Sequence, residues 1–271
     1  MAYTFGAGTG DDVTWTGSIS LGATARASLV YGWWLPTTLT ATRGLWSAGN
    51  VYGAEVDLIT DELTLRTDGA TTDGQWSTTG VDLAVDEWKF IACFGTSLSG
   101  TPDMAWRVWA GTIGSAPVEV TVTNIIPQVG NFAGSAVFYL GNKGTGTVAF
   151  EGDIDEAGFI ATAASATAGL PFGLAAYGAC TDTEAAFIYQ RFVLPLWLGE
   201  FPRQAIWSAI GTPSTEHAHI SLRSLPQVRR TASSDTVLSG VAPTINGATV
   251  SQNRGPRPYN DSPTYRERYA A

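Results

Sequence analysis

The chain has 271 residues, a net charge of −9 and only 14% charged residues, with 31 glycines, 10 tryptophans and two cysteines. The acidic balance argues against a nucleic-acid or anionic-membrane surface, and two cysteines are too few for a disulfide framework or a zinc site. Many glycines, aromatics and threonines with few charges fit an all-β chain with many turns, long enough to bury a sizeable core. The charge is uneven. Residues 1–223 hold nine Lys/Arg against 21 Asp/Glu, a net of −12, whereas residues 224–271 hold six Arg against three acids, a net of +3. The opening Met-Ala-Tyr-Thr-Phe has no basic, apolar leader, and no apolar run is long enough to span a bilayer. The expectation is a protein made in a cytoplasm and not secreted by a signal peptide.

In chain order, Val13–Leu21 alternates apolar and polar residues and reads as a strand, and Ser28–Pro36 is a second, stopped by Pro36. Arg43–Ser47 is a short strand. Ala54–Ile59 and Glu62–Thr67 flank a tight connection and read as a hairpin. Gly69–Gly80 reads as a polar loop around Trp76. Strands follow at Glu87–Phe94, Ala105–Gly111, Val118–Val122 and Ala136–Asn142, and Cys93 falls in the apolar run of the first of these, as a buried free thiol. Ala149–Ile160 closes the series. Phe150 and Ile154 share one parity, Asp153 and Asp155 the other, and Gly152 marks a bulge or a close backbone approach. Its four carboxylates between Glu151 and Glu156 are either solvated acids on the outer face of a core strand or a catalytic or metal-binding row. Short strands at regular spacing with glycine-rich turns give an antiparallel β-sandwich or jelly roll, with Phe150, Ile154, Trp88, Phe90 and Val108 in or against its core.

Five stretches in this order resemble the laminin-G-like, concanavalin-A-like jelly roll: Leu29–Pro36, Asp86–Ala92, Trp106–Gly111, Phe138–Asn142 and Phe150-Glu151-Gly152-Asp153-Ile154-Asp155-Glu156, the last similar to the family signature Phe-x-Gly-x-Ile-Asp-Glu. The resemblance covers about residues 1–195 and implies the fold, not an activity. After it, Thr181–Glu184 is a capping box for a helix of two or three turns over Ala185–Phe192, with Ile188 and Phe192 on one face and Pro195 as the stop. Leu194–Leu198 and Phe201–Ile210 read as extended apolar segments packed on the sandwich or a neighbour. From Gly211 onward Pro, Ser, Thr, Asn and Arg dominate. The division is therefore 1–175 jelly-roll sandwich, 176–210 short helix and apolar connector, and 211–271 extended polar and basic arm.

Three chemistries compete. Glu151-x-Asp153-x-x-Glu156 is similar to the motif of a glycosidase class on the same fold, which implies a nucleophile at Glu151 and an acid/base at Glu156. A retaining pair, however, needs carboxyls about 5–5.5 Å apart, which a regular strand does not provide without a bulge. Trp76, with Asp73 and Gln75, is the first candidate for a glycan-stacking platform in a lectin-like module. Asp11, Asp12, Asp153 and Asp155 suit calcium by type, but solvated carboxylates are the preferred reading, as is a structural or exposed role for His217 and His219. No catalytic residue, metal or cofactor is expected.

The reading preferred here is a non-enzymatic structural component of a large assembly. The connector Phe192–Trp197 resembles those of laminin-G-like domains in tailed-bacteriophage virion proteins, which implies a head-decorating or head–tail accessory role in a virion. The expected partners are other virion proteins and copies of the same chain, with cell-surface glycan as the alternative and no nucleic acid or membrane. The arm would dock through Tyr259, Tyr265 and Tyr269, with Arg229 and Arg230 adding charge.

Overall fold

The computed structural model describes residues 2–6, 12–21, 26–40, 43–49, 52–56, 61–97, 104–130, 135–144, 146, 148–163, 180–200, 215–220, 238–240, 244–246 and 249–251. Two sheets pack face to face. Sheet A holds β1 (Ala2–Phe5), β3 (Arg26–Pro36), β8 (Lys89–Ser97), β9 (Met104–Thr112), β12 (Gly152–Ala163), β13 (Thr215–Ile220), β14 (Leu238–Gly240) and β16 (Thr249–Ser251). Sheet B holds β2 (Asp12–Leu21), β4 (Arg43–Ala48), β5 (Tyr52–Val56), β6 (Leu63–Thr67), β7 (Gly74–Thr79), β11 (Ser135–Leu140) and β15 (Thr244–Asn246). The long β10 (Ser115–Ile126) belongs to both, pairing with β9 up to Val120–Val108 and with β7 from Thr121–Thr79 onward.

Early strands pair with late ones. β2 lies antiparallel to β11 in sheet B, and β3 antiparallel to β12 in sheet A. This nesting makes the chain an antiparallel jelly-roll sandwich, the expected fold. The stretch from residue 211, read from composition as an extended arm, supplies short strands at the sheet margins. β13 continues sheet A beside β12, β16 pairs with β1, and β15 pairs with β2.

The space between the sheets is filled by inward side chains of both, among them Val30 and Trp34 of β3 and Leu63 and Leu65 of β6. A run of aromatic rings crosses it: Trp76 meets Trp106 edge-on at 6.4 Å, Trp106 lies 6.2 Å from Trp46, Trp46 stacks 6.1 Å from Phe138, and Phe138 sits 4.8 Å from Phe159. Such pairs add about 0.5–1.5 kcal/mol each beyond the area they bury. Phe150, Ile154 and Val108 lie in this core, as their parity demands.

Phe90 does not. It belongs to a second core on the opposite face of sheet A, with Leu29, Tyr31, Trp33, Phe94 and Trp109, and Trp88 packs at its margin. The cover is helical. α1 (Asp182–Ile188) starts at the expected capping box, in which Thr181 Oγ1 accepts from Glu184 N–H and the Glu184 carboxylate accepts from Thr181 N–H at 2.8 Å. A π turn (Tyr189–Val193) and α2 (Leu194–Trp197) continue it.

Pro195 is therefore not a stop, and Leu194–Trp197 is not extended. Proline inside a helix lacks a donor and clashes with the carbonyl four residues back. The π turn immediately before it widens the ring, and Leu194 N–H reaches Tyr189 O, which brings Pro195 into the first turn of α2. Ile188, Phe192, Val193, Leu196 and Trp197 are thereby buried against sheet A, and Trp197 Nε1 donates to Thr112 O at 3.2 Å. Phe201–Ile210 lies outside the described residues.

Candidate functional site

The carboxylate row is the first place to look. Glu151 precedes β12, is half-buried, and accepts from Arg43 Nη2 of sheet B at 2.9 Å. Gly152 follows with φ +148°, and a Cβ there would stand 2.1 Å from Leu35 O, so the close backbone approach expected of it is real. Asp153 is buried and accepts from the Thr4 hydroxyl of β1. A bulge then interrupts the β12–β3 register between Asp155 and Gly158, with Glu156 at φ +47°.

The bulge resets the parity. Ile154 before it and Ala157 and Phe159 after it all face the inter-sheet core. Asp153, Asp155 and Glu156 are thus not solvated acids on an open face. They are 2%, 0% and 5% exposed. Burial, and then the charge of Glu156, holds the Tyr31 hydroxyl pKa well above its ordinary value. Glu151 is tied to Arg43 of sheet B, and Glu156 is buried within the bulge. The bulge that such a catalytic pair requires is present, and Glu151 and Asp153 each have a partner within the fold, Arg43 and Thr4. Asp12, also buried, accepts from Thr14 Oγ1 at 2.8 Å. Among the described residues no group of three or more His, Cys, Asp or Glu converges as metal ligands would.

The Trp76 region differs from its expectation. Gly74–Thr79 is not a loop but strand β7, in which Gly74, Trp76 and Thr78 are buried and Gln75 and Ser77 are half-buried. Trp76 is 4% exposed, the last ring of the aromatic run, and is not a platform. Its physical reason is alternation: in Gly-Gln-Trp-Ser-Thr the indole falls on the inward parity. Asp73 is exposed, and its Oδ1 accepts from Gly69 N–H at 3.2 Å, closing the preceding turn. Burial, and then the charge of Asp73, raises the Asp68 carboxyl pKa above its usual value. Gln75 is half-buried in β7, opposite Arg66.

The strand expected at Val118–Val122 is longer than the sequence suggested and is shared by both sheets. β10 is the most solvent-exposed long strand described, and its apolar residues are not all inside. Val118 is 63% exposed and Ile125 52%, Ile126 is also exposed, and Ile113 and Val129 are exposed just outside the strand. Where β10 leaves β9 for β7, a groove opens, lined by Trp106, Arg107, Glu119, Val120, Thr121 and Val122. At its rim Arg107 binds Glu119 at 2.6 Å and Asp182 at 2.9 Å, and donates to Cys180 O at 2.6 Å, which ties the helical layer to sheet A. The signal present was Val-Glu-Val-Thr-Val-Thr-Asn-Ile-Ile, a run rich in β-branched residues that continues past Val122.

His217 and His219 lie on β13, opposite Ile160 and Gly158 of β12. Arg229, Arg230, Tyr259, Tyr265 and Tyr269, and also Asp11, lie outside the described residues. No described helix is long and apolar enough to cross a membrane.

No family model matches this sequence, and no curated protein matches it. Among solved structures the chain is similar to the LG4-5 domains of the mouse laminin alpha1 chain, at 11% identity and a TM-score of 0.37 over 59% of this chain, spanning 40% of that chain's length. It is also similar to the native heptameric SAP-like pentraxin of Limulus polyphemus, at 11% identity and a TM-score of 0.32, over 55% of this chain and 75% of that one. The jelly-roll assignment rests on the chain's own strand pairing.

Proposed function

We propose that this protein is a non-enzymatic structural component of a large assembly, which docks through its C-terminal segment. The observation that carries this reading is the exposed β-branched surface of β10, with Val118 and Ile125 more than half exposed. Contiguous exposed apolar surface supports a protein–protein contact, and Ile125, Ile126 and Val129 are exposed close together in sequence at the end of this strand. The acids with catalytic potential have structural partners: Glu151 holds Arg43, and Asp153 holds Thr4. The opposite charges of residues 1–223 and 224–271 favour contact between the tail and an acidic body, its own neighbours included. The finer reading, a tailed-bacteriophage virion protein in a head-decorating or head–tail accessory position, rests on the resemblance of Phe192–Trp197 to connectors in such proteins. A carbohydrate-binding module is the weaker reading, because its aromatic anchor, Trp76, is buried.

Because β15 and β16 pair with β2 and β1, the informative truncation falls after Ser251, leaving both strands in place. Analytical ultracentrifugation of the full chain and of residues 1–251, each mixed with purified particles, tests the proposal. Binding of the full chain at a fixed high copy number, lost in the truncated form, supports it. Equal incorporation of both forms removes the role of the tail.

A further inference from the structure

We propose that the outer margin of β10, from Thr121 to Ile126, pairs antiparallel with the same margin of a second copy of this chain, joining two B sheets edge to edge. This contact deepens the assembly reading, on which it rests, by giving copies of the chain a surface to meet through. β10 changes partner along its length. Its ladder with β9 ends at Val120–Val108, and from Thr121–Thr79 onward it pairs with β7. Sheet B therefore ends on this half of β10, and among the described residues no strand lies along its other margin. Backbone N–H and C=O groups alternate in direction along a strand, so every second residue there turns both away from β7. The side chains do not cover the margin: Thr121, Thr123, Asn124, Ile125 and Ile126 are exposed and Val122 is half-buried.

Sheet margins are ordinarily guarded by charge, proline or a bulge. The two halves of β10 differ in this. Ser115–Val120, the margin of sheet A, carries Pro117, which has no N–H, and Glu119, which binds Arg107 at 2.6 Å. Thr121–Ile126 carries neither. No charged residue occurs from Val120 to Asn142, nor in β7. The guard that remains is the register shift between Asn124 and Ile126, which leaves Thr121–Asn124 as the regular run. A second copy is the occupant this margin suits. The chain carries a net charge of −9, so two copies repel, and contact is least opposed where the surface is neutral. Thr121, Val122 and Thr123 are β-branched and suit cross-strand pairs. A strand margin also complements itself: about a two-fold axis near Thr123, the outward N–H groups of each copy meet the carbonyls of the other, and the contact closes at two. So short a ladder lies below the roughly 1,200 Å² of a standard interface, so the free dimer is weak, and neighbouring copies in a particle strengthen it by local concentration.

Sedimentation velocity of the full chain between about 1 and 200 μM, with amide hydrogen exchange on the same samples, tests the proposal. A monomer–dimer equilibrium is expected, with protection over residues 121–126 that rises with concentration. Thr123→Lys sets like charges together at the axis and is expected to weaken the dimer at least about tenfold, with circular dichroism unchanged. Thr123→Val, neutral and β-branched, and Ser115→Lys, on the guarded half, are expected to leave the dimer as it is. A chain that stays monomeric throughout the range overturns the proposal. So does a dimer that Thr123→Lys leaves intact, because the contact then lies elsewhere, and so does a dimer with no added protection over 121–126, because the strands are then not paired. Particle binding separates the two readings. A monomeric chain that still joins particles at fixed copy number sinks this margin alone, whereas a Thr123→Lys-sensitive dimer that joins none keeps the margin and removes the assembly role.

Discussion

Both carboxylate oxygens of Glu62 accept from the Val81 N–H, each at 3.1 Å. The same side chain takes Gly80 N–H at 2.7 Å and the Thr78 hydroxyl at 2.7 Å. Glu62 is buried, and the turn it holds has Gly80 at φ +105° and Asp82 at φ +48°. Consecutive N–H groups in such a turn form an anion nest, and here the chain supplies its own anion. Glu62→Ala leaves these donors buried without it and is expected to cost about 1–3 kcal/mol. Urea denaturation checks it, with a lower midpoint and an unchanged slope as the expected outcome.

Gly152→Ala tests the backbone crossing at the start of β12. The added methyl meets Leu35 O at 2.1 Å and Pro36 Cα at 2.9 Å, at a φ that side chains rarely adopt. The expected loss is about 2–3 kcal/mol. A thermal melt within a degree of the parent protein contradicts the register given for β12 and β3.

Much of this was legible in the sequence and some was not, for reasons that lie in particular residues. Phe150 and Ile154 share a parity and share a core, and Thr181 and Glu184 cap α1 as their spacing requires. Trp76 misled because the polar residues around it suggest a loop, yet Gln75, Ser77 and Thr79 are the outward parity of a strand. Phe90 misled in another way. Its strand is apolar on both parities, and the sequence does not say that a helical layer covers the second face. Pro195 misled because its effect depends on whether the turn before it is α or π. Of the candidate site, the acids were visible as a row, but not the burial of Asp153, Asp155 and Glu156 or the bulge between Asp155 and Gly158.

Trp76→Ala separates the two roles that were open for this residue. A buried indole truncated to a methyl is expected to cost about 3–5 kcal/mol, whereas Asp73→Asn, at an exposed turn, stays within about 0.5 kcal/mol. Differential scanning calorimetry on both variants is the measurement. A Trp76→Ala protein as stable as the parent, but deficient in binding a glycan array, reverses the assignment.

The cysteines give the chain an alkaline limit. Burial pushes the Cys93 thiol up to about 12, partly offset by a hydrogen bond with Trp46, and burial pushes Cys180 up to about 11. Both folded values exceed the ordinary 9.0. Below pH 9 both states hold these protons and the contribution is complete. As pH rises from 9 through 11 and 12, the unfolded chain loses protons that the folded chain keeps, and stability falls by at most about 1.4 kcal/mol per pH unit per thiol. Denaturation midpoints between pH 8 and 11 are expected to drop, and Cys93→Ser to flatten the slope. Native protein at pH 8 should resist thiol-reactive dyes that label both cysteines in urea.

Sheet A is covered on both faces, by sheet B and by the helical layer, and that has a consequence for how the chain is made. The residues of β8 from Phe90 to Thr96 are all buried, so the strand has no polar side to show water while its covers are missing. Its outer cover, Asp182–Trp197, leaves the ribosome about ninety residues later. At 5–20 residues per second, the face of Leu29, Trp33, Phe90 and Phe94 waits roughly 5–20 s for its lid. Through that interval the apolar face lacks its cover, and weakening the capping box at Thr181 is expected to lower the yield of folded protein.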